Sequence, residues 1–295
     1  MASYRPRRSA LYMPGSNLRA LEKAKTLDVD CVVFDLEDAV APEQKDLARE
    51  QIVDAVKEGG YGKRELVLRI NGKGSSWEKD DICAGVEAGV DAILVPKVNS
   101  AADLQRIAHE MALNSAPKDL KIWAMMETPG AILNAASIAA CGVDSEVPLS
   151  CLVVGTNDLA KETNAELAKG RAVMVPWLMT FIAAARFGGV DILDGVYNAF
   201  DDDQGFAEEC QQGLKMGMDG KTLIHPRQIS ACHQAFSPTK EDVVRAQQIC
   251  AAFERPENAS AGVIKLDGEM VERLHAKMAR RTLDIHEAIM ARSES

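Results

Sequence analysis

The chain has 295 residues, 47% of them hydrophobic and 26% charged, with a formal net charge of −10; this is an ordinary globular composition, long enough for one large domain or two small ones. The acidic balance argues against nucleic acid or an anionic membrane as the main partner, while a local basic site could still take small anions. Seven scattered cysteines without a C-x-x-C pair fit free thiols in a reducing cytoplasm, the N-terminal MASYRPRRSALYMPG lacks the apolar stretch of a signal peptide, and no 18-residue apolar run could span a bilayer.

Taken in chain order, short strand-like runs alternate with segments of helical spacing. SALYM (9–13) precedes NLRALEKAKTL, CVVFDL (31–36) precedes KDLAREQIVDAVKEG, ELVLRI (65–70) precedes WEKDDICAGVEAG, and DAILVP (91–96) precedes AADLQRIAHEMAL. KIWAMM (121–126) leads into PGAILNAASIAACG, SCLVVG (150–155) into WLMTFIAAARFGG, and VDILDG (190–195) into FAEECQQGLKMGM, before KTLIHP (221–226) closes the series. Strands alternating with amphipathic helices imply parallel βαβ units, and glycines near the helix ends fit C-terminal stop signals. Eight units, their starts 22 to 40 residues apart, predict an α/β fold of the (β/α)₈ TIM-barrel type. An open doubly wound sheet is the structural rival, but no G-x-G-x-x-G follows the first strand. The barrel is expected over 1–226, and 227–295 as a C-terminal helical extension: one helix, a turn at Asp267-Gly268, and a last helix.

In a barrel, residues just after each strand face one cavity. Here they are Pro14-Gly15-Ser16-Asn17, Asp35-Leu36-Glu37-Asp38, Arg69-Ile70-Asn71, Lys97, Glu127, Asn157-Asp158, Asp194 with Tyr197-Asn198, and His225. Such a polar ring suits a charged ligand. Glu127 and Asp158, on neighbouring strand ends without a nearby His or Cys, suit a hard cation such as Mg²⁺, with Mn²⁺ as an alternative; the other reading is a pair of solvated or Arg-paired loop acids. Arg69 could clamp a carboxylate or stabilise an enolate oxygen, or form a salt bridge to Glu37 or Asp38. Lys97 raises a competing Schiff-base chemistry, whereas Lys221 is placed at the start of strand eight, the wrong end for that role. His225 is read equally as a capping residue or a catalytic one. Arg19, Lys23 and Lys25 give the first helix a basic face.

RSALYMPGSN, VVFDLEDAVAP with Lys45 and Arg49, LRIN, PKV, the MET segment and GKTLIHPRQI resemble, in order along nearly the whole chain, the citrate lyase β-subunit-like (HpcH/HpaI aldolase) family of CoA-ester lyases. WAMMET, GTNDLAKE, DGVYNAF and DGKTLIHP look closer still to its malyl-CoA lyase and malyl-CoA thioesterase branch. The resemblance implies a cytoplasmic, Mg²⁺-dependent barrel, usually a homotrimer or homohexamer, that acts on an acyl-CoA and a small oxyacid or α-keto acid. It implies C–C cleavage of a malyl-CoA-, β-methylmalyl-CoA- or citramalyl-CoA-like substrate, with malyl-CoA hydrolysis or a citrate lyase β subunit as alternatives. Carried over by motif, Glu127 and Asp158 are the expected metal ligands, and Arg69, Tyr12 and Asn157 the expected substrate contacts, with Arg69 also facing the enolate. Arg19, Lys23 and Lys25, on the first helix, could meet the phosphates of coenzyme A or form a solvated basic face. The family's C-terminal acid, donated across a subunit interface, aligns with G-x-M-[VI]-D. This chain reads Gly268-Glu269-Met270-Val271-Glu272, so Glu272 is the expected catalytic acid, with Asp267 as the alternative. The side chain is one methylene longer, which puts efficient condensation in question and leaves room for hydrolysis.

Overall fold

The computed structural model describes residues 4–258 and 260–293. These divide into two compact units, one spanning Arg7–Phe236 and one drawn from the described residues before Arg7 and after Phe236.

In the first unit, β1 (Ser9–Pro14), β2 (Cys31–Asp35), β3 (Glu65–Arg69), β4 (Ala92–Val95), β5 (Lys121–Met126), β6 (Leu149–Val154), β7 (Asp191–Asp194) and β8 (Gly220–Leu223) close into a barrel in sequence order. All neighbours pair in parallel, with β8 returning to β1. All eight expected runs are therefore strands, and the expected (β/α)₈ barrel is the observed fold. Strands covered on both faces carry near-continuous apolar sequence. Ala10, Val33, Val67, Leu94, Trp123 and Val153 belong to an interior cluster, while Leu11, Val32, Phe34 and Leu68 pack toward the helices. At one mouth Arg7 donates to Glu65 at 2.7 and 2.8 Å and to Asp191 at 2.9 Å, with its guanidinium 5.0 Å from the Trp123 ring centre. This paired ion plugs the N-terminal end, so the site is built at the other.

The surrounding helices are α1 (Leu18–Ala24), α2 (Lys45–Glu58), α3 (Glu78–Ala88), α4 (Ala101–Leu113), α5 (Pro129–Leu133), α6 (Ala135–Ala139), α7 (Thr156–Thr163), α8 (Val175–Gly188), α9 (Asp203–Met216) and α10 (Gln228–Phe236). The segment expected as one helix from Pro129 breaks into α5 and α6 at Asn134, whose φ of −110° and ψ of 13° leave the helical region. Two short helices, α7 and α10, were not expected. Yet α10 carries buried Ile229, Cys232, Ala235 and Phe236 at helical spacing. It lies with the barrel: Cys232 donates to the Arg8 carbonyl at 3.1 Å, and His233 bonds the Ser9 hydroxyl at 2.8 Å. The compact barrel unit thus ends at Phe236, beyond the division expected at 226.

In the second unit, α11 (Lys240–Glu254) packs on α12 (Arg273–Ser293) through Val243, Ala246, Ala279 and Leu283. Between them β9 (Val263–Leu266) and β10 (Glu269–Glu272) pair antiparallel around Asp267 and Gly268, whose φ values of 50° and 89° are both left-handed. That is the two-residue hairpin turn that Asp-Gly favours. Ile264 and Val271 bury one hairpin face with Ala252 and Phe253. No helix among the described residues is long and apolar enough to cross a membrane.

Candidate active site

A cavity of about 330 Å³ opens at the C-terminal ends of the strands, and Tyr12, Asp35, Arg69, Glu127, Asn157 and Asp158 are among its walls. Tyr12, Asp35 and Arg69 lie on strands buried in the barrel and Glu127 directly follows one, whereas Asn157 and Asp158 stand in the first turn of α7.

Arg69, the last residue of β3, is 8% exposed and held on several sides. Asp35, the last residue of β2, accepts its Nε at 2.7 Å and its Nη2 at 2.6 Å, a bidentate charge-assisted pair. The sheet register sets this up, because Asp35 stands directly opposite Arg69. Glu37 Oε2 sits 3.0 Å from Nη1 but out of line for a hydrogen bond, and Asp38 is at 3.4 Å. The salt bridge weighed for Arg69 is therefore present, with Asp35 its tightest member. The guanidinium also lies 4.9 Å from the Tyr12 ring centre, and burial raises the Tyr12 phenol so that it stays protonated. The turn after β2 is braced by buried Lys45, whose ammonium donates to the carbonyls of Leu36 at 2.6 Å and Glu37 at 2.7 Å.

Glu127 follows β5 and is 1% exposed. Its Oε1 accepts the backbone N–H of Lys97 at 2.8 Å. Burial, the Glu37 charge and the Asp158 charge push its carboxyl up to about 8, against the Lys97 hydrogen bond and the more distant Arg69. Asp158 sits in the first turn of α7, where acids suit the helix dipole. Gly155 lies between β6 and α7, and a Cβ there would fall 2.3 Å from Glu127 Oε2. Glycine leaves that carboxylate its room, a signal readable in GTND only after the carboxylate is known to approach. Among the described residues no group of three or more His, Cys, Asp or Glu side chains forms a metal-ligating cluster. Two hard carboxylates on one cavity nevertheless fit Mg²⁺, which takes one or two protein carboxylates and fills its octahedron with water and substrate.

Other expected rim residues point elsewhere. Asn71 bonds Asp81 at 2.7 Å. Asp194 pairs with Arg171 at 2.6 Å and Lys221 at 3.1 Å, fully buried. Lys221 is not at the far end of the barrel from Asp194: because the strands are staggered, it pairs in register with both Ser9, the start of β1, and Asp194, the end of β7. Its ammonium is taken up by Asp194, by Glu209 at 2.7 Å and by the Gly195 carbonyl. Arg171, which the sequence reading missed because it lies in a polar connection, completes this buried network. His225 stacks on Phe200 with ring centres 5.2 Å apart and accepts the Arg227 N–H at its Nδ1, a local capping arrangement. Lys97 engages Glu37 through its ammonium.

Asn157 exchanges two hydrogen bonds with Asn198, at 2.8 and 3.2 Å, on the cavity rim. On α1, Arg19 and Lys23 are exposed, whereas Lys25 is committed to Glu22 at 2.7 Å and Glu58 at 2.9 Å. In the second unit, Asp267 and Glu269 both grip Arg245, at 3.0 and 2.7 Å, which gives Asp267 a turn-holding part. Glu272 is exposed at the end of β10, its backbone N–H donating to His275 Nδ1 at 2.9 Å.

The chain is 46% identical over 286 residues to a (3S)-malyl-CoA thioesterase of Cereibacter sphaeroides, covering 97% of this chain and 96% of that one. It is 31% identical to citrate lyase subunit beta of Leuconostoc mesenteroides subsp. cremoris, covering 98% and 96% of the two chains. Among solved structures, CitE from Mycobacterium tuberculosis in complex with magnesium, acetoacetate and coenzyme A superposes with a TM-score of 0.72 at 26% identity, covering 96% of this chain and 97% of that one. The family model described as HpcH/HpaI aldolase/citrate lyase matches residues 8–226, and the chain belongs to that family.

Proposed function

We propose that the protein acts on a malyl-CoA-type thioester and hydrolyses it to the free oxyacid and coenzyme A. The observation that carries this is the 46% identity, across 97% of the chain, to proteins named (3S)-malyl-CoA thioesterase, joined to one cavity lined by Glu127, Asp158 and Arg69. The lyase expected first from sequence becomes the second reading, favoured by the 31% identity to a citrate lyase β subunit.

In this proposal Glu127 and Asp158 hold Mg²⁺, which when bound supplies Lewis acidity to the carboxylate and hydroxyl oxygens of the oxyacid end. Arg69 presents a preorganised cation to the thioester carbonyl oxygen, where negative charge grows in the transition state; losing such a donor costs roughly 2.7–4 kcal/mol. Tyr12 carries the guanidinium over its ring, and Asn157 lines the oxyacid side. Glu272 takes a proton as water adds to the thioester carbonyl carbon, the C–S bond then breaks, and the Glu272 carboxyl returns that proton to the departing sulfur, so that coenzyme A leaves as the thiol. In the lyase reading Arg69 instead faces the enolate oxygen of the departing acyl-CoA, and the Glu272 carboxyl protonates the enolate carbon. Arg19 and Lys23 remain the proposed contacts for coenzyme A phosphates. Lys25, held by two acids, is the weakest member of that set. A cytoplasmic homotrimer or homohexamer, with Glu272 serving a neighbour's barrel, belongs to the same proposal.

Product identification tests it. Purified protein with malyl-CoA and Mg²⁺ should release malate and free thiol in equal amounts. Acetyl-CoA and glyoxylate in place of malate establish the lyase reading, and an unchanged thioester removes both.

A further inference from the structure

Lys97 does not serve as a Schiff-base nucleophile in this geometry. It is absent from the cavity wall, and its ammonium is engaged 2.5 Å from Glu37 Oε1. Its backbone is unusual: φ is 52°, in the left-handed region that non-glycine residues rarely enter. That conformation turns its N–H onto Glu127 Oε1 at 2.8 Å. Glu37, in turn, is 6% exposed and spans two cations, Lys97 at one oxygen and Arg69 Nη1 at the other. One residue therefore touches both sides of the cavity. Its main chain fixes the Glu127 carboxylate, and its side chain fixes the acid behind the Arg69 guanidinium. Were the main-chain contact the whole role, glycine would supply it without the strained conformation. A strained residue persists where its surroundings over-determine it, and the side chain is what lysine adds.

We infer that Lys97 is a positioning residue for the proposed thioester chemistry: through Glu37 it sets the orientation of Arg69 while its backbone registers Glu127 against it. Three acids, Asp35, Glu37 and Asp38, face the one guanidinium. With Lys97 in place, Glu37 is shared between two cations and Asp35 keeps the bidentate grip. Without the ammonium, Glu37 has only Arg69, and Nη1 is drawn toward it and away from the substrate oxygen. A shift of about 1 Å in such a group can lower turnover on the order of 10²-fold.

This inference rests on the proposed function, so wild-type turnover of malyl-CoA is established first; its absence refutes that function and leaves the positioning claim to the structural arm. Lys97→Gly keeps the backbone N–H, tolerates the left-handed φ and removes the ammonium. It should melt no lower than wild type and lose kcat by about 10- to 10²-fold, with KM changed far less. Lys97→Arg and added ethylammonium should each restore part of the lost kcat. A crystal structure of Lys97→Gly should show the guanidinium of Arg69 turned off its bidentate seat on Asp35, a readout that needs no activity. An unmoved Arg69, a wild-type kcat, or a loss confined to a lowered melting temperature with no rescue overturns the inference.

Discussion

Replacing Glu127 by Gln tests the electrostatic logic of the site most sharply. The carboxyl rises from an ordinary 4.5 to about 8, a difference of 3.5 units, and at about 1.36 kcal/mol per unit this is about 5 kcal/mol, an upper figure because cavity water screens part of it. With the folded state binding the extra proton, the contribution to stability is full below pH 4.5 and is lost as pH rises toward 8. The cation-free protein should therefore melt progressively lower from pH 5 to pH 8.5, and Glu127→Gln should flatten that slope. Metal binding requires the ionised carboxylate, so at pH 7 loading with Mg²⁺ should expel a proton from most molecules. Calorimetric titration of Mg²⁺ in two buffers of different ionisation enthalpy reads that release directly. Glu127→Gln should release none, bind Mg²⁺ poorly and lose turnover without unfolding. A variant that keeps the wild-type pH slope and proton release would show that the raised carboxyl belongs elsewhere.

Other expectations follow from single contacts. Gly155→Ala places a methyl 2.3 Å from Glu127 Oε2 and 2.5 Å from its Cβ; overpacking of this kind costs about 1–3 kcal/mol, so denaturant unfolding should shift by that amount and the Mg²⁺-induced rise in Tm should shrink. Asp35→Asn removes the charge behind the bidentate grip on buried Arg69, so stability should drop by up to about 3–5 kcal/mol and kcat/KM per folded molecule should fall about 10- to 10²-fold. Lys221→Met leaves Asp194 and Glu209 buried against one fewer cation, so stability should drop by about 3–5 kcal/mol with kcat per folded molecule retained. Glu272→Gln should lower kcat far more than it raises KM, whereas Asp267→Asn should only loosen an exposed contact to Arg245 worth up to about 1 kcal/mol; equal losses in the two variants would divide the acid's role between them.

The barrel was legible because its strands are continuous apolar runs at regular spacing, and seven of the eight are found within a residue or two of their expected bounds, while β8 ends at Leu223, three residues before its expected end. The second-unit turn was legible for a similar reason, since Asp-Gly requires two left-handed residues and gets them at Asp267 and Gly268. Less visible were α7 and α10, whose apolar positions are few or flanked by strand and turn signals. Chain order places a residue at the rim but not the direction of its side chain. Asp194 and His225 stand at strand ends like Glu127, yet one turns into a buried ion network and the other stacks on Phe200. Lys221 does stand at the start of strand eight as expected, but strand stagger, which no single run discloses, decides which strand ends it meets. The partners of Arg69 depended likewise on the β2–β3 register, which puts Asp35 across from it.

The most direct measurement is a crystal structure grown with Mg²⁺ and malate. A cation about 2.1 Å from oxygens of both Glu127 and Asp158, with malate's carboxylate and hydroxyl oxygens completing its shell, is the predicted result. A cation bound elsewhere, or malate seated in the cavity with neither carboxylate engaged, would contradict the account.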